Sequence, residues 1–106
     1  MVTTAELTEE ILLEASECGH RLFRNNSGKF QDKRGQWITF GVGPKNGGGS
    51  DLIGWCSDGK FAAIEIKVGY DKPTAAQLMW ISWVNSGGGR AGVARSVQEA
   101  LDILKK

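Results

Sequence analysis

The chain has 106 residues, of which 41% are hydrophobic, and its formal net charge is +1. This length suits one modest hydrophobic core, so we expect a single domain over residues 1–106. No apolar stretch is long enough to cross a bilayer and the N-terminus is acidic, which excludes a membrane span and a signal peptide. Two cysteines without a disulfide-rich pattern favour the reducing cytoplasm.

The first predicted element is a helix over residues 4–18. Apolar residues recur at helical spacing from Leu7 to Cys18, and Thr3 and Glu6 have the spacing of a capping box. Four strand candidates follow, at residues 21–24, 36–40, 51–55 and 61–68. The last two are typical of a hairpin, because turn residues separate them.

A second helix is predicted over residues 74–86, where Thr74 and Gln77 have capping-box spacing. A short strand at 91–95 and a helix at 97–104 complete the chain. The order α-β-β-β-β-α-β-α predicts an α/β (α+β) domain.

The second helix has almost no polar face. A domain this small buries one side of such a helix more easily than both, so we expect a homodimer interface. Its predicted contact residues are Met79, Trp80 and Trp83; the alternative is a fully internal helix.

The chemically most informative residues are Asp51, Glu65 and Lys67. Residues 61–67 form an apolar run that ends in Glu-Ile-Lys, and burying unpaired charges there is unfavourable. Strand alternation places Glu65 and Lys67 on one face, and hairpin pairing brings Asp51 near Glu65. Two carboxylates can share a divalent cation, and a lysine can hold an anionic oxygen or a water. The alternative is a surface Glu/Lys pair and a turn aspartate.

Basic residues concentrate in residues 21–45, where six lysines and arginines accompany one acid. Such a segment can neutralise phosphates, although a solvated loop with ordinary surface charge is the alternative. Residues 41–49 are rich in glycine, but they lack the Gly-Lys-Ser/Thr ending of a Walker loop and lead into a strand, so we expect no nucleotide cofactor. The candidate DNA-binding residues are Arg24, Asn25, Asn26, Lys29, Lys33, Arg34, Lys45, Arg90 and Arg95.

Five stretches of the chain together resemble a stand-alone virus-type replication-repair nuclease (VRR-NUC) domain of the PD-(D/E)xK superfamily. They are residues 22–28, residues 49–55, residues 63–67, Gln77 and residues 88–96. The resemblance covers nearly the whole chain. It implies a restriction-endonuclease-like core, with a central mixed sheet flanked by helices.

The resemblance also implies roles for individual residues. Asp51 and Glu65 would bind Mg²⁺ or Mn²⁺ together with the backbone carbonyl of Ile66, and Lys67 would position or help deprotonate the attacking water. Gln77 would support the site, although its amide can instead complete the helix cap. Ser50-Asp51 replaces the Pro-Asp of many relatives.

A further acid is expected on the first helix of such a domain. Counting back from Gly19, the matching position lies closest to Thr8, and Glu6 and Glu10 are the nearest acids. Since Glu6 has a capping position, we assign the role to Glu10.

These observations predict a metal-dependent DNA endonuclease. Stand-alone members of the family resemble Holliday junction resolvases, which implies a homodimer acting on branched DNA. A non-catalytic nucleic-acid-binding module that keeps the fold is the first alternative. A small dimeric scaffold with structural carboxylates is the second.

Overall fold

A computed structural model describes residues 2–44 and 48–105. In chain order their elements are α1 (Thr4–Glu17), β1 (Arg21–Arg24), β2 (Gly28–Gln31), β3 (Trp37–Phe40), β4 (Leu52–Trp55), β5 (Phe61–Ile66), α2 (Ala75–Ser86), β6 (Arg90–Ala94) and α3 (Val97–Leu104). No helix in these two ranges is long and apolar enough to cross a membrane.

The central sheet has four strands in the order β1-β4-β5-β6. β4 pairs antiparallel with β1 and with β5, whereas β5 and β6 are parallel. α2 lies between β5 and β6 in the chain and provides the crossover that a parallel pair requires. The predicted mixed sheet flanked by helices, and with it the α+β fold class, is confirmed.

Helices cover both faces of this sheet. α1 and α3 pack on one face, around a core that includes Ile11, Leu52, Ile64 and Leu104. α2 packs on the other face, chiefly against β5 and β6. Because side chains alternate along a strand, Glu65 points to the α2 face of the sheet, as Ala63 does.

The two predicted capping boxes are both present. The Thr3 hydroxyl accepts the N–H of Glu6, and the Glu6 carboxylate accepts the N–H of Thr3. Thr74 and Gln77 form the same pair at the start of α2. Each box satisfies two backbone donors that a helix N-terminus otherwise leaves free.

Among the described residues there is one strand more than the sequence predicts. β2 pairs antiparallel with β3, and the resulting hairpin, residues 28–40, is called the arm below. All eight of its strand residues are exposed. A hairpin with no buried face lacks the alternation of apolar and polar residues by which a strand is recognised, and β2 follows directly after the turn residues 25–27.

Candidate active site

Asp51 and Glu65 lie side by side at neighbouring strand ends. Leu52 of β4 pairs with Ile64 of β5, so Asp51 falls opposite Glu65 one position further along. Asp51 Oδ2 also accepts the backbone N–H of Ile66 at 2.8 Å. This bond ties the start of β4 to the end of β5 and fixes one carboxylate beside the other.

The backbone around Asp51 is held by contacts that the sequence does not reveal. Ser50 Oγ accepts the indole N–H of Trp80 at 3.1 Å and donates to the carbonyl of Leu52 at 3.0 Å. The N–H of Asn25 donates to the carbonyl of Asp51 at 2.8 Å. Trp80, predicted as a dimer contact, is therefore half-buried and positions the strand that carries Asp51.

The glycines before Asp51 allow a close approach of the chain to itself. The Asn25 side chain bonds the backbone of Val42 and the carbonyl of Ser50. A Cβ on Gly49 would lie 2.2 Å from the carbonyl oxygen of Val42. Gly49 is therefore required for packing within the loop, and the sequence signal for it is the glycine-rich composition.

Glu65 is a buried carboxyl whose electrostatic environment is unfavourable to its charge. Its relative exposure is 2%, and its Oε1 atom finds no hydrogen-bond partner among the residues that the structure describes. Burial and, after it, the negative charge of Asp51 raise the pKa of Glu65 to about 7, against the opposing effect of Lys67. A buried oxygen without a partner costs roughly 1–3 kcal/mol or more, which favours a ligand at this position.

Lys67 supplies the positive charge of the site. Its Nζ lies 3.3 Å from Glu65 Oε2, and its side chain is half-buried. Its backbone N–H donates to the carbonyl of Ala94, which fixes the chain just after β5. An ammonium has three N–H groups, so the pair with Glu65 leaves donors for a water or an anionic oxygen.

The donor atoms fit a small divalent cation. Mg²⁺ and Mn²⁺ prefer oxygen ligands, and Mg²⁺ commonly uses one or two carboxylates together with substrate phosphates and waters. Asp51 and Glu65 supply two carboxylates, and the unpartnered Glu65 Oε1 is a free ligand atom. Across residues 2–44 and 48–105, no group of three or more His, Cys, Asp or Glu side chains is suited to a metal ion.

Glu10 is not brought to these two carboxylates. The buried side of α1 is formed by Leu7, Thr8, Ile11 and Ala15, which leaves Glu10 exposed. α1 also covers the sheet face opposite to Glu65. The helix phase thus explains why the expected third acid is missing from the described site.

Thr8, the position that matches the expected acid of the first helix, and Gln77 both form local hydrogen bonds. The Thr8 hydroxyl donates to the carbonyl of Thr4 at 2.7 Å. Gln77 Oε1 accepts the N–H of Thr74 at 2.9 Å, so the cap is formed and a role of Gln77 at the carboxylates stays a prediction.

The candidate DNA-binding residues fall into two groups. Asn26, Lys29, Lys33 and Arg34 are exposed, and the last three lie on the arm. Arg24 forms an ion pair with Glu9, and Asn25 is used in the loop contacts above. Lys45 lies outside the described residues.

Arg90 and Arg95 are engaged within the protein. Arg90 binds both carboxylate oxygens of Asp58 and the carbonyl of Leu104, and it holds the pKa of the Asp58 carboxyl below its usual range. Because Arg90 pairs with Ala62, it lies at the end of the sheet away from Glu65. Arg95 bonds the carbonyls of Gly69 and Asp71. The contacts of Arg90 favour a structural role over the predicted contact with DNA.

Replacing Arg90 tests this structural role. We expect Arg90→Ala to lower the melting temperature by several degrees, because Asp58 and the Leu104 carbonyl lose their partner, and to leave DNA affinity unchanged. Thermal unfolding followed by circular dichroism and DNA binding by fluorescence anisotropy provide the measurements. Arg34→Ala at the exposed end of the arm is the matched control, with the opposite expectation of weakened DNA binding and unchanged stability.

The exposed apolar side chains of α2 remain available for a partner. Leu78, Met79 and Trp83 are exposed, and Trp83 retains 53% of its surface. Trp80, Ile81 and Val84 face the sheet. The helix is therefore half covered within the chain, and its other half exposes Leu78, Met79 and Trp83 to solvent.

A mixed sheet flanked by helices, with two carboxylates and a lysine at adjoining strand ends, defines a nuclease-like fold. The VRR-NUC domain family matches residues 17–98 of the 106-residue chain. The chain therefore belongs to the VRR-NUC domain family, a family of nucleases. No curated protein and no solved structure gives a match to it.

Proposed function

We propose that this protein is a metal-dependent DNA endonuclease that hydrolyses phosphodiester bonds at Asp51, Glu65 and Lys67. The observation that carries the proposal is the Glu65 carboxyl, which is buried, close to a second carboxylate, and has an oxygen without a partner in the described structure. A buried carboxyl with a free oxygen beside a second carboxylate is unfavourable for stability alone, and it is the arrangement that a bound cation would stabilise.

Each residue has a distinct part in this proposal. Asp51 and Glu65 would hold the cation, and the backbone carbonyl of Ile66, the residue after Glu65, would be a further oxygen donor. Lys67, placed beside Glu65, binds an anionic phosphate oxygen or orients the attacking water. A bound Mg²⁺ or Mn²⁺ supplies Lewis-acid stabilisation of the phosphate charge and makes water a stronger nucleophile at neutral pH.

Burial of Glu65 has a consequence for how the site binds a cation. Without a cation, much of Glu65 is protonated near neutral pH, because its pKa is raised to about 7. Ligation requires the carboxylate form, so binding releases a proton and strengthens as the pH rises through 7. Burial also excludes competing water, which strengthens the interaction of the charges that remain.

We further propose that the protein acts as a homodimer on branched DNA. Support for the dimer comes from the exposed apolar half of α2, with Met79 and Trp83 as contacts. Two copies related by a two-fold axis would carry two sites, which suits cuts in two strands of a four-way junction.

The dimer proposal predicts a change of mass on replacement of Trp83. We expect the wild-type protein, of 11.5 kDa per chain, to sediment as a dimer at micromolar concentration. Trp83→Glu should sediment as a monomer, because the interface would bury an unpaired charge. Leu13→Glu on the exposed side of α1 is the control and should remain a dimer. A monomeric wild-type protein would refute the interface.

Cleavage assays test the activity and its substrate separately. A labelled four-way junction and a linear duplex of matched sequence are incubated with the protein in Mn²⁺ or in EDTA. We expect cleavage in Mn²⁺ alone, with the junction cut faster. Absence of metal-dependent cleavage of both substrates would favour the non-catalytic binding module. That alternative agrees with the described residues, in which no third acid joins Asp51 and Glu65 in a metal-binding cluster. Equal rates would remove the preference for branches.

A further inference from the structure

The arm is poorly packed against the rest of the described chain, and all eight of its strand residues are exposed. β2 and β3 pair with each other, and neither has an extensive contact with another described element. A two-stranded hairpin alone is only marginally stable in water, so contacts within the arm are needed to stabilise it. Asp32 Oδ1 accepts the backbone N–H groups of Arg34 and Gln36, and this closes the turn at the end of the arm.

One face of the arm combines an aromatic ring with positive charge. Trp37 is 63% exposed, and the Nζ of Lys29 lies 5.3 Å from the centroid of its ring. Lys33 and Arg34 are exposed at the turn. The arm thus carries three basic side chains against one acid, Asp32, whose carboxylate already accepts backbone N–H groups.

The opposite face of the arm is aromatic as well. Phe30 and Phe40 have ring centroids 6.3 Å apart, and Ile38, the cross-strand partner of Phe30, is on the same face. Both rings are about half exposed. Planar side chains on both faces, combined with a net positive charge, match a ligand with flat rings and negative charge, since bases stack on aromatic rings and phosphates pair with Lys and Arg.

The base of the arm is fastened beside the candidate active site. Asn25, three residues before the arm, donates to the carbonyl of Asp51 and to the carbonyl of Val42, which lies just after the arm. A Cβ on Gly41 would lie 2.4 Å from Cβ of Ser27, so the two ends of the arm meet closely there. A cavity of about 440 Å³ at this base is lined by Lys29, Thr39, Phe40 and Gly49, among others. DNA on the arm would therefore reach toward Asp51.

We propose that the arm binds unpaired bases of branched DNA, with Trp37 stacking on a base and Lys29, Lys33 and Arg34 contacting phosphates. The proposal rests on the proposed nuclease function, which supplies DNA as the ligand, and it adds a structural reason for selectivity. Paired and stacked bases cannot offer their faces to Trp37, whereas bases opened at a branch can.

DNA binding in EDTA tests the proposal without cleavage. Fluorescence anisotropy compares a forked duplex, whose strands are splayed at one end, with a blunt duplex. We expect Trp37→Ala to weaken binding of the forked DNA roughly tenfold and to change binding of the blunt duplex little. Trp37→Phe should restore most of the affinity. Trp55→Ala, an exposed tryptophan at the far end of β4 from Asp51, should bind both DNAs as the wild type does.

A second variant separates the charges of the arm from its ring. The double substitution Lys33→Gln and Arg34→Gln should weaken binding of both DNAs. It should also reduce the slope of log K against log salt concentration by about two, because two phosphate contacts are lost. Unchanged binding of forked DNA by Trp37→Ala would overturn the proposal, as would equal losses on both DNAs. Conversion of the wild-type dimer to a monomer by Trp37→Ala would assign the arm to the protein interface instead. Trp37-dependent binding without any metal-dependent cleavage would contradict the nuclease function and leave the arm's role standing.

Discussion

Glu65→Gln is expected to reduce metal-dependent DNA cleavage roughly 1,000-fold or more. The substitution removes a charged ligand while keeping the size of the side chain, and a divalent cation contributes several kcal/mol to stabilising charge in phosphodiester hydrolysis. Initial rates on labelled DNA in Mn²⁺ give the measurement. Binding of the same DNA in EDTA should remain close to that of the wild type, because the Glu65 side chain is buried and would meet DNA only through the cation.

The same substitution should stabilise the metal-free protein at pH 8. The pKa of Glu65 is raised from 4.5 to about 7, so the folded state retains a proton that the unfolded state has lost. The stability from this group is therefore complete below about pH 4.5 and is lost as the pH rises to about 7. At pH 8 the loss is on the order of 3 kcal/mol. Because the neutral amide does not ionise, Glu65→Gln should melt several degrees higher at pH 8 and show little difference at pH 4.5.

This combination separates a functional carboxyl from a structural one. Loss of activity with a gain in stability is expected of a charge kept for chemistry. A melting temperature that falls at pH 8 would mean that the ion pair with Lys67 stabilises the fold, and it would support the scaffold with structural carboxylates.

Asp51→Asn is expected to reduce cleavage roughly 100-fold or more. An amide oxygen can still accept the N–H of Ile66, so the strand ends should remain tied, but the second charged ligand is gone. Initial rates in Mn²⁺ and isothermal calorimetry of Mn²⁺ binding give the measurements. Asp102→Asn on α3 makes the same change of charge at an exposed position and should retain full activity.

The Asp51 variant also changes the pH dependence of Glu65. The negative charge of Asp51 contributes to the raised pKa of Glu65, so its removal should lower that pKa. The loss of stability with rising pH should then be smaller and should end at a lower pH than in the wild type. An unchanged pH profile together with wild-type cleavage would show that Asp51 and Glu65 do not act as a pair.

The sequence predicts the paired carboxylates because their proximity follows from local rules. A hairpin joins the strands that carry Asp51 and Glu65, and alternation along β5 places Lys67 on the face of Glu65. Burial of that strand is visible as an apolar run. The raised pKa of Glu65 is not visible, since it depends on α2 covering this face and on the exact register.

Other parts of the site depend on contacts between distant residues. Trp80 and Ser50 are 30 positions apart, and Arg90 and Asp58 are 32 apart, so no spacing rule pairs them. The exposure of Glu10 follows from the sequence, because the apolar stripe of Leu7, Ile11 and Ala15 places Glu10 outside the buried face of α1. The sequence does not predict β2, because alternation of apolar and polar residues identifies strands with one buried face and the arm has no face in the core.

The most direct test of the account is a time course of DNA cleavage started by adding Mn²⁺ to metal-free protein bound to a labelled four-way junction. The wild-type protein, Asp51→Asn and Glu65→Gln are compared, each with an EDTA control. We predict that the wild type alone forms cut strands, that EDTA prevents this, and that both variants remain bound without cutting. Cleavage by either variant at the wild-type rate, or cleavage by the wild type in EDTA, would contradict the assignment of the paired carboxylates as the catalytic metal site.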